Sequence, residues 1–148
     1  MWEDLGEYIE KFLYKNESNN EKLNEKKYNA KEEYKYKVVE IGVGNFFKVA
    51  DYLKNTNNNI EVVMIDIDSK RKDVIKDDII NPKIHIYKEA KIIYSIRPPY
   101  ELQTCIEKIA IKINALLIIK PLFNEDLNIK TKMNLKNYKK AIFYQHQY

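Results

Sequence analysis

The sequence predicts an α/β fold: a trimmed, doubly wound, mostly parallel sheet with helices on both faces. Three observations carry this expectation. The apolar runs "KVVEI", "IEVVMID", "KIIYSI" and "ALLIIKPL" have the Val- and Ile-rich character of strands buried on both sides. They alternate with segments of helical period. Two of the gaps between them, 42–59 and 97–114, are long enough for a parallel crossover of about a dozen residues or more.

Residues 1–15 read as a helix, because Trp2, Leu5, Ile9, Phe12 and Leu13 fall on one stripe. Residues 16–36 are rich in Asn, Lys and Glu. They read as a polar surface insertion, either partly helical through Leu23, Ala30 and Tyr34 or disordered. The core then occupies 37–148. "KVVEI" forms a buried strand, and 45–55 a helix with Phe46, Val49, Ala50 and Leu53 on one face. The Asn-rich 55–59 ends that helix, and 60–66 is the second strand. "VIKDDI" (74–79) is a brief third strand and 91–96 a fourth, closed by Pro98 and Pro99. Residues 100–113 form a helix that turns Leu102, Ile106, Ile109, Ala110 and Ile113 inward; 115–122 is a fifth strand and 140–145 a last one. The gaps 66–74 and 81–91 are too short for a crossover helix. Two complete β-α-β units, 38–66 and 91–120, are therefore joined by a shortened middle. Their ligand crevice is expected where the two units meet, at the carboxyl ends of the strands.

At 148 residues, 45% hydrophobic and 32% charged, the chain has the composition of one soluble domain with a real core. No apolar run approaches the roughly 20 residues needed to cross a bilayer. The acids Glu3, Asp4 and Glu7 are unlike the start of a signal peptide. The one cysteine, Cys105, has no internal disulfide partner, which makes the cytoplasm the default location. A net charge of +4 does not by itself argue for nucleic acid. No acid follows Asp126, however, while Lys130, Lys132, Lys136, Lys139 and Lys140 do. That tail is either a solvated face or a weak RNA- or anion-binding surface.

The chemistry-bearing residues gather at strand ends. Gly42 and Gly44 lie between the first strand and the following helix. There a glycine turns tightly, lets backbone approach a ligand, and leads to the free N–H groups of a helix start. Asp66, about twenty residues on, has the placement of an acid that accepts hydrogen bonds from ribose hydroxyls, with Asp68 as a nearby substitute. The plainer alternatives are a tight turn that needs glycine without any ligand, and an acid that caps the next turn. A nicotinamide or flavin fingerprint needs a third glycine where Phe47 stands. A methyl-donor loop of the form E-x-G-x-G-x-G reads here as Glu40, Gly42, Gly44 and then Phe46; the leading glutamate favours it.

On these residues, 38–122 resembles the Rossmann-type S-adenosylmethionine-dependent methyltransferases. The resemblance implies that Glu40 helps hold the amino-acid end of the donor through the loop and water. It also implies that Gly42 and Gly44 pass beneath the donor, that Asp66 binds its ribose, and that Asp78 stands near its adenine amine. "RPPY" (97–100) resembles the fourth motif of amino-methylating members, but Arg97 replaces the expected Asn, Asp or Ser. An arginine accepts no hydrogen bond, so nucleobase or glutamine N-methylation is not carried over. A narrower likeness covers most of the chain except 16–36. On "W-E-D…Y-I", "EIGVG", "D-I" and "YSIRPP…E-L…LIIKPL" the chain is similar to uncharacterised protein family 0146 of the UPF series, an archaeal family with no assigned reaction.

Arg97 and Lys120 each end a strand and precede proline. If the two strands are neighbours, the cations share one sheet edge and can hold an anion, either the donor carboxylate or a substrate phosphate; the plainer alternative is that they cap helices or reach solvent. Tyr100 follows the prolines and can cover a ligand. No His, Cys or acid spacing suggests a metal, and no catalytic base stands out. Three functions follow as expectations: methyl transfer from S-adenosylmethionine to an anionic acceptor, a non-catalytic nucleotide-binding or regulatory module, and a basic RNA-associated protein.

Overall fold

The computed structural model of the chain describes residues 2–15, 34–122 and 126–148. Most of the expected insertion therefore lies outside the described residues. Helix α1 spans Trp2–Lys15, with Glu3 and Asp4 in its first turn and Lys15 in its last, the order that suits the helix dipole. Next come β1 (Tyr36–Ile41), α2 (Lys48–Thr56), β2 (Ile60–Asp66) and β3 (Val74–Lys76). A short 3-10 turn at Ile84–Ile86 leads to β4 (Ala90–Ile96). A second one, Tyr100–Leu102, runs into α3 (Gln103–Ile113), followed by β5 (Leu116–Lys120), β6 (Asn134–Tyr138) and β7 (Ala141–Gln147).

The strands form one sheet in the order β3-β2-β1-β4-β5-β7-β6. β1 to β5 are mutually parallel. β7 runs antiparallel to β5, and β6 antiparallel to β7. The chain is thus α/β, with a mostly parallel mixed sheet.

Alternate residues of the central strands feed two cores. Val38, Ile92, Tyr94, Leu116 and Ile118 pack with Leu5, Ile9 and Leu13 of α1 and Val49 and Leu53 of α2. Val39, Ile41, Ile93, Leu117 and Ile119 pack with Ile106, Ile109 and Ala110 of α3. Helices therefore cover both faces. Between β3 and β4 no helix intervenes, in keeping with the short gap. Buried Tyr87 fills that space, and its hydroxyl donates to Asp77 at 2.7 Å.

The first strand starts at Tyr36, inside the expected insertion, the helix expected from 100 starts at Gln103, the fifth strand ends at Lys120 and the last runs on to Gln147; three further details differ from the sequence reading more substantially. α2 starts at Lys48, because Gly44 and Asn45 form a turn and Phe46 leads into the N-cap residue Phe47. The third strand stops at Lys76. β6 was not anticipated at all: it is an exposed edge strand, "NLKNY", with no buried residue to mark it. Part of the lysine-rich tail thus belongs to a β6–β7 hairpin that α1 clamps. Lys139 Nζ donates to Glu7 at 2.7 Å and the Lys140 N–H to Asp4 at 3.1 Å.

Candidate functional site at the carboxyl ends of the parallel strands

The strand order reverses between β1 and β4, and in open α/β sheets the crevice that takes a ligand lies at the carboxyl edge of such a reversal. The glycine turn lies on its β1 side. The N–H groups of Gly42 and Val43 both donate to the Ile65 carbonyl, at 2.8 and 3.1 Å. Gly42 and Gly44 have φ of 71° and 55°, the left-handed region that glycine enters without penalty. The Gly44 N–H then donates to Asp66 Oδ2 at 2.7 Å. Asp66 Oδ1 accepts from the Asp68 N–H at 3.1 Å. An ionised carboxylate offers about four acceptor positions, so Asp66 keeps capacity for hydroxyl donors. A Cβ built on Gly44 meets nothing within 4 Å, so the space over this turn is open.

The two phenylalanines that follow the turn leave that space clear. Phe46 is half-buried and meets Trp2 edge-on, with ring centroids 4.6 Å apart. The Phe47 ring lies under the Arg71 guanidinium at 4.4 Å. Arg71 is itself fixed by Asp51 at 2.6 Å and Asp73 at 2.7 Å.

Beneath the loop sits Glu40. It is 1% exposed and shares the α2 side of the sheet with Tyr94, its register partner on β4. Burial pushes its carboxyl up to about 8, and the Asp51 charge adds to this. Neither Glu40 Oε1 nor the Tyr94 hydroxyl has a partner within hydrogen-bonding distance. A buried carboxyl in this setting is held largely as the neutral acid at pH 7. Nearby, Ser95 joins the two halves of the sheet: its buried hydroxyl donates to the Ile41 carbonyl at 2.7 Å.

The other wall belongs to β4 and β5. Ile96 pairs with Lys120, and the Arg97 N–H donates to the Lys120 carbonyl at 2.7 Å. The two cations are therefore neighbours at one sheet edge. Arg97 adopts φ 54°, unusual for a residue with a side chain. Its guanidinium lies 5.4 Å from the Trp2 ring centroid and 5.7 Å from that of Phe46. Burial, and then the charge of Arg97, lower the Lys120 ammonium below its usual range. Tyr100 is 59% exposed.

The structure thus brings Gly42, Gly44 and Asp66 together, with Glu40 beneath them and Arg97 and Lys120 across the crevice. Asp78 lies on the same edge, two residues beyond β3, where it accepts from the Ile80 N–H at 3.0 Å. Its neighbour Asp77 is buried and structural, bonded to Tyr87 and to the Lys83 N–H. Sequence reasoning missed Trp2 as the platform under Arg97, since its place on the α1 stripe marked it only as a core residue. Ser95 and Tyr94 were also missed; register with β1, the signal that reveals them, exists only in the folded sheet. Among the described residues no group of three His, Cys, Asp or Glu side chains is arranged to hold a metal ion. None of the described helices is long and apolar enough to cross a membrane.

Residues 23–148 match the model of a family described as "Uncharacterised protein family (UPF0146)". α1 lies outside the matched range. A UPF0146 protein of Methanothermobacter thermautotrophicus is 40% identical over 110 residues, covering 74% of this chain and 82% of the relative. One from Methanocaldococcus jannaschii is 42% identical over 116 residues, covering 73% and 81%. One from Pyrococcus horikoshii is 40% identical over 124 residues, covering 78% and 92%. With the family model spanning most of its length and archaeal relatives at this identity, the chain belongs to the uncharacterised protein family UPF0146.

Proposed function

We propose that this chain binds S-adenosylmethionine in the crevice at the carboxyl ends of β1 and β2 and transfers its methyl group to an anionic acceptor. The observation that carries this reading is the hydrogen bond between Gly44 and Asp66 beside open space. It joins a backbone turn that a ligand can approach closely to a carboxylate with spare acceptor capacity for a ribose diol. The order β3-β2-β1-β4-β5 of the parallel strands supports it, being that of the doubly wound nucleotide-binding folds, whose ligands sit at the strand reversal.

The chain's own residues divide the work. Gly42 and Gly44 shape the floor beneath the donor, Asp66 holds its ribose hydroxyls, and Asp78 stands on the same edge for the adenine amine. Glu40 supports the turn from below, and its orphaned buried oxygen fits a role completed by loop, water and ligand. The bound donor supplies an electrophilic methyl on its sulfonium, so the protein's task is chiefly alignment. Arg97 and Lys120 orient the acceptor, and exposed Tyr100 covers it.

Titration calorimetry with S-adenosylmethionine, its demethylated product and NAD tests the reading. Saturable binding of the first two and not of NAD is the expected result. Binding of NAD alone overturns the donor class. Donor binding with no methylated product from cell extract makes the chain a carrier or sensor of that ligand. Salt-dependent RNA binding with no nucleoside bound puts the function on the lysine-rich hairpin instead.

A further inference from the structure

We propose that Arg97 and Lys120 form a phosphate-binding subsite on the β4–β5 wall of the crevice, and that the acceptor is a phosphorylated molecule. The acceptor assignment rests on the proposed methyl transfer; phosphate binding itself does not.

The first observation is an unbalanced charge pair. Arg97 and Lys120 are joined through backbone at 2.7 Å, and neither has a carboxylate partner among the described residues. Like charges held side by side repel, and an anion between them relieves the repulsion. The second is how Arg97 is held. Trp2 and Phe46 position its guanidinium through their ring faces, which leaves its N–H edge free for an oxygen ligand. The third is the left-handed backbone at Arg97, a conformation that a non-glycine residue keeps only where its surroundings enforce it, and which concentrates at ligand clamps.

Phosphate suits this pair better than carboxylate. Two adjacent cations match the double charge and three terminal oxygens of a phosphomonoester, and a guanidinium presents paired donors to it. Position separates this site from the donor. Asp66 ends β2, while the cations end β4 and β5, two and three strands away across the sheet. At the usual strand spacing that is about 10–14 Å, so the two sites serve different parts of the assembled complex.

Trp2 is the only tryptophan, so its fluorescence reports directly on the Arg97 stack. Inorganic phosphate is titrated into the full chain at constant ionic strength, with acetate as the singly charged control. A saturable change with phosphate, absent with acetate, is expected. Lys120→Met leaves the reporter stack in place and weakens phosphate binding at least 10-fold; Arg97→Ala, followed by calorimetry, weakens it as much or more. No saturation in the wild type, equal response to acetate, or unchanged affinity in Lys120→Met overturns the subsite. Repeating the titration with saturating S-adenosylmethionine tests the acceptor assignment. Simultaneous binding supports it, and competition overturns it by giving the cations to the donor. If phosphate binds and S-adenosylmethionine does not, the subsite stands and the proposed methyl transfer falls.

Discussion

Glu40→Gln tests the physical state of the residue beneath the glycine turn. The folded chain holds this carboxyl near pKa 8 against an ordinary 4.5, mainly because it is buried. Between those values the folded chain keeps a proton that the unfolded chain has lost. Stability therefore falls as pH rises from about 4.5 and levels off above about 8. A gap of about 3.5 units at 1.36 kcal/mol per unit gives ~5 kcal/mol as the upper limit of the loss, of which ~3 kcal/mol is already present at pH 7. That is comparable to the whole stability of a small domain. Glutamine keeps the shape and cannot ionise. Urea unfolding of wild type and variant at pH 5, 7 and 8.5 isolates this one group, since other titrations cancel in the difference. The two proteins should differ little at pH 5, and the variant should be more stable by several kcal/mol at pH 8.5. Parallel stability profiles would refute the account of Glu40 as a neutral buried acid.

Two more expectations concern the frame around the site. Gly6 faces α2, and a Cβ there overlaps the Tyr52 ring. Gly6→Ala should therefore lose ~1 kcal/mol net, with overpacking of about 1–3 kcal/mol exceeding the ~1 kcal/mol gained in helix propensity; additivity with Tyr52→Ala in a thermal-unfolding cycle would contradict the clash. Glu107, 3% exposed, accepts from the Lys130 and Thr131 N–H groups at 3.0 Å each and from the Tyr148 hydroxyl at 2.9 Å. Burial opposes its charge, but these donors outweigh burial and lower its pKa below 4.5. Its contribution is present above pH 4.5 and is lost as pH falls through the depressed value. Glu107→Ala should cost about 2 kcal/mol at pH 7 and speed amide exchange at 130 and 131.

Much of the frame was legible because the buried strands announce themselves. "KVVEI" and "KIIYSI" are short, Val- and Ile-rich and apolar at consecutive positions, the pattern of a strand covered on both faces. The gap lengths separated the two helical crossovers from the shortened middle, where Tyr87 takes the place of a helix. β6 was illegible for the opposite reason: none of Asn134–Tyr138 is buried, so no period marks it. The helix start was misplaced because Phe46 and Phe47 read as helical apolar positions, whereas one ring packs on Trp2 and the other supports Arg71. The glycines and Asp66 were visible from their spacing. The Trp2–Arg97 stack and the Glu40–Tyr94 pair depend on contacts between residues more than fifty positions apart, which one sequence does not display.

The most direct measurement is calorimetric titration of S-adenosylmethionine into wild-type chain and Asp66→Ala, with circular dichroism confirming the fold of both. Saturable binding by the wild type should weaken at least 10-fold in the variant. No binding by the folded wild type, or equal affinity in the two proteins, would contradict the proposed donor site.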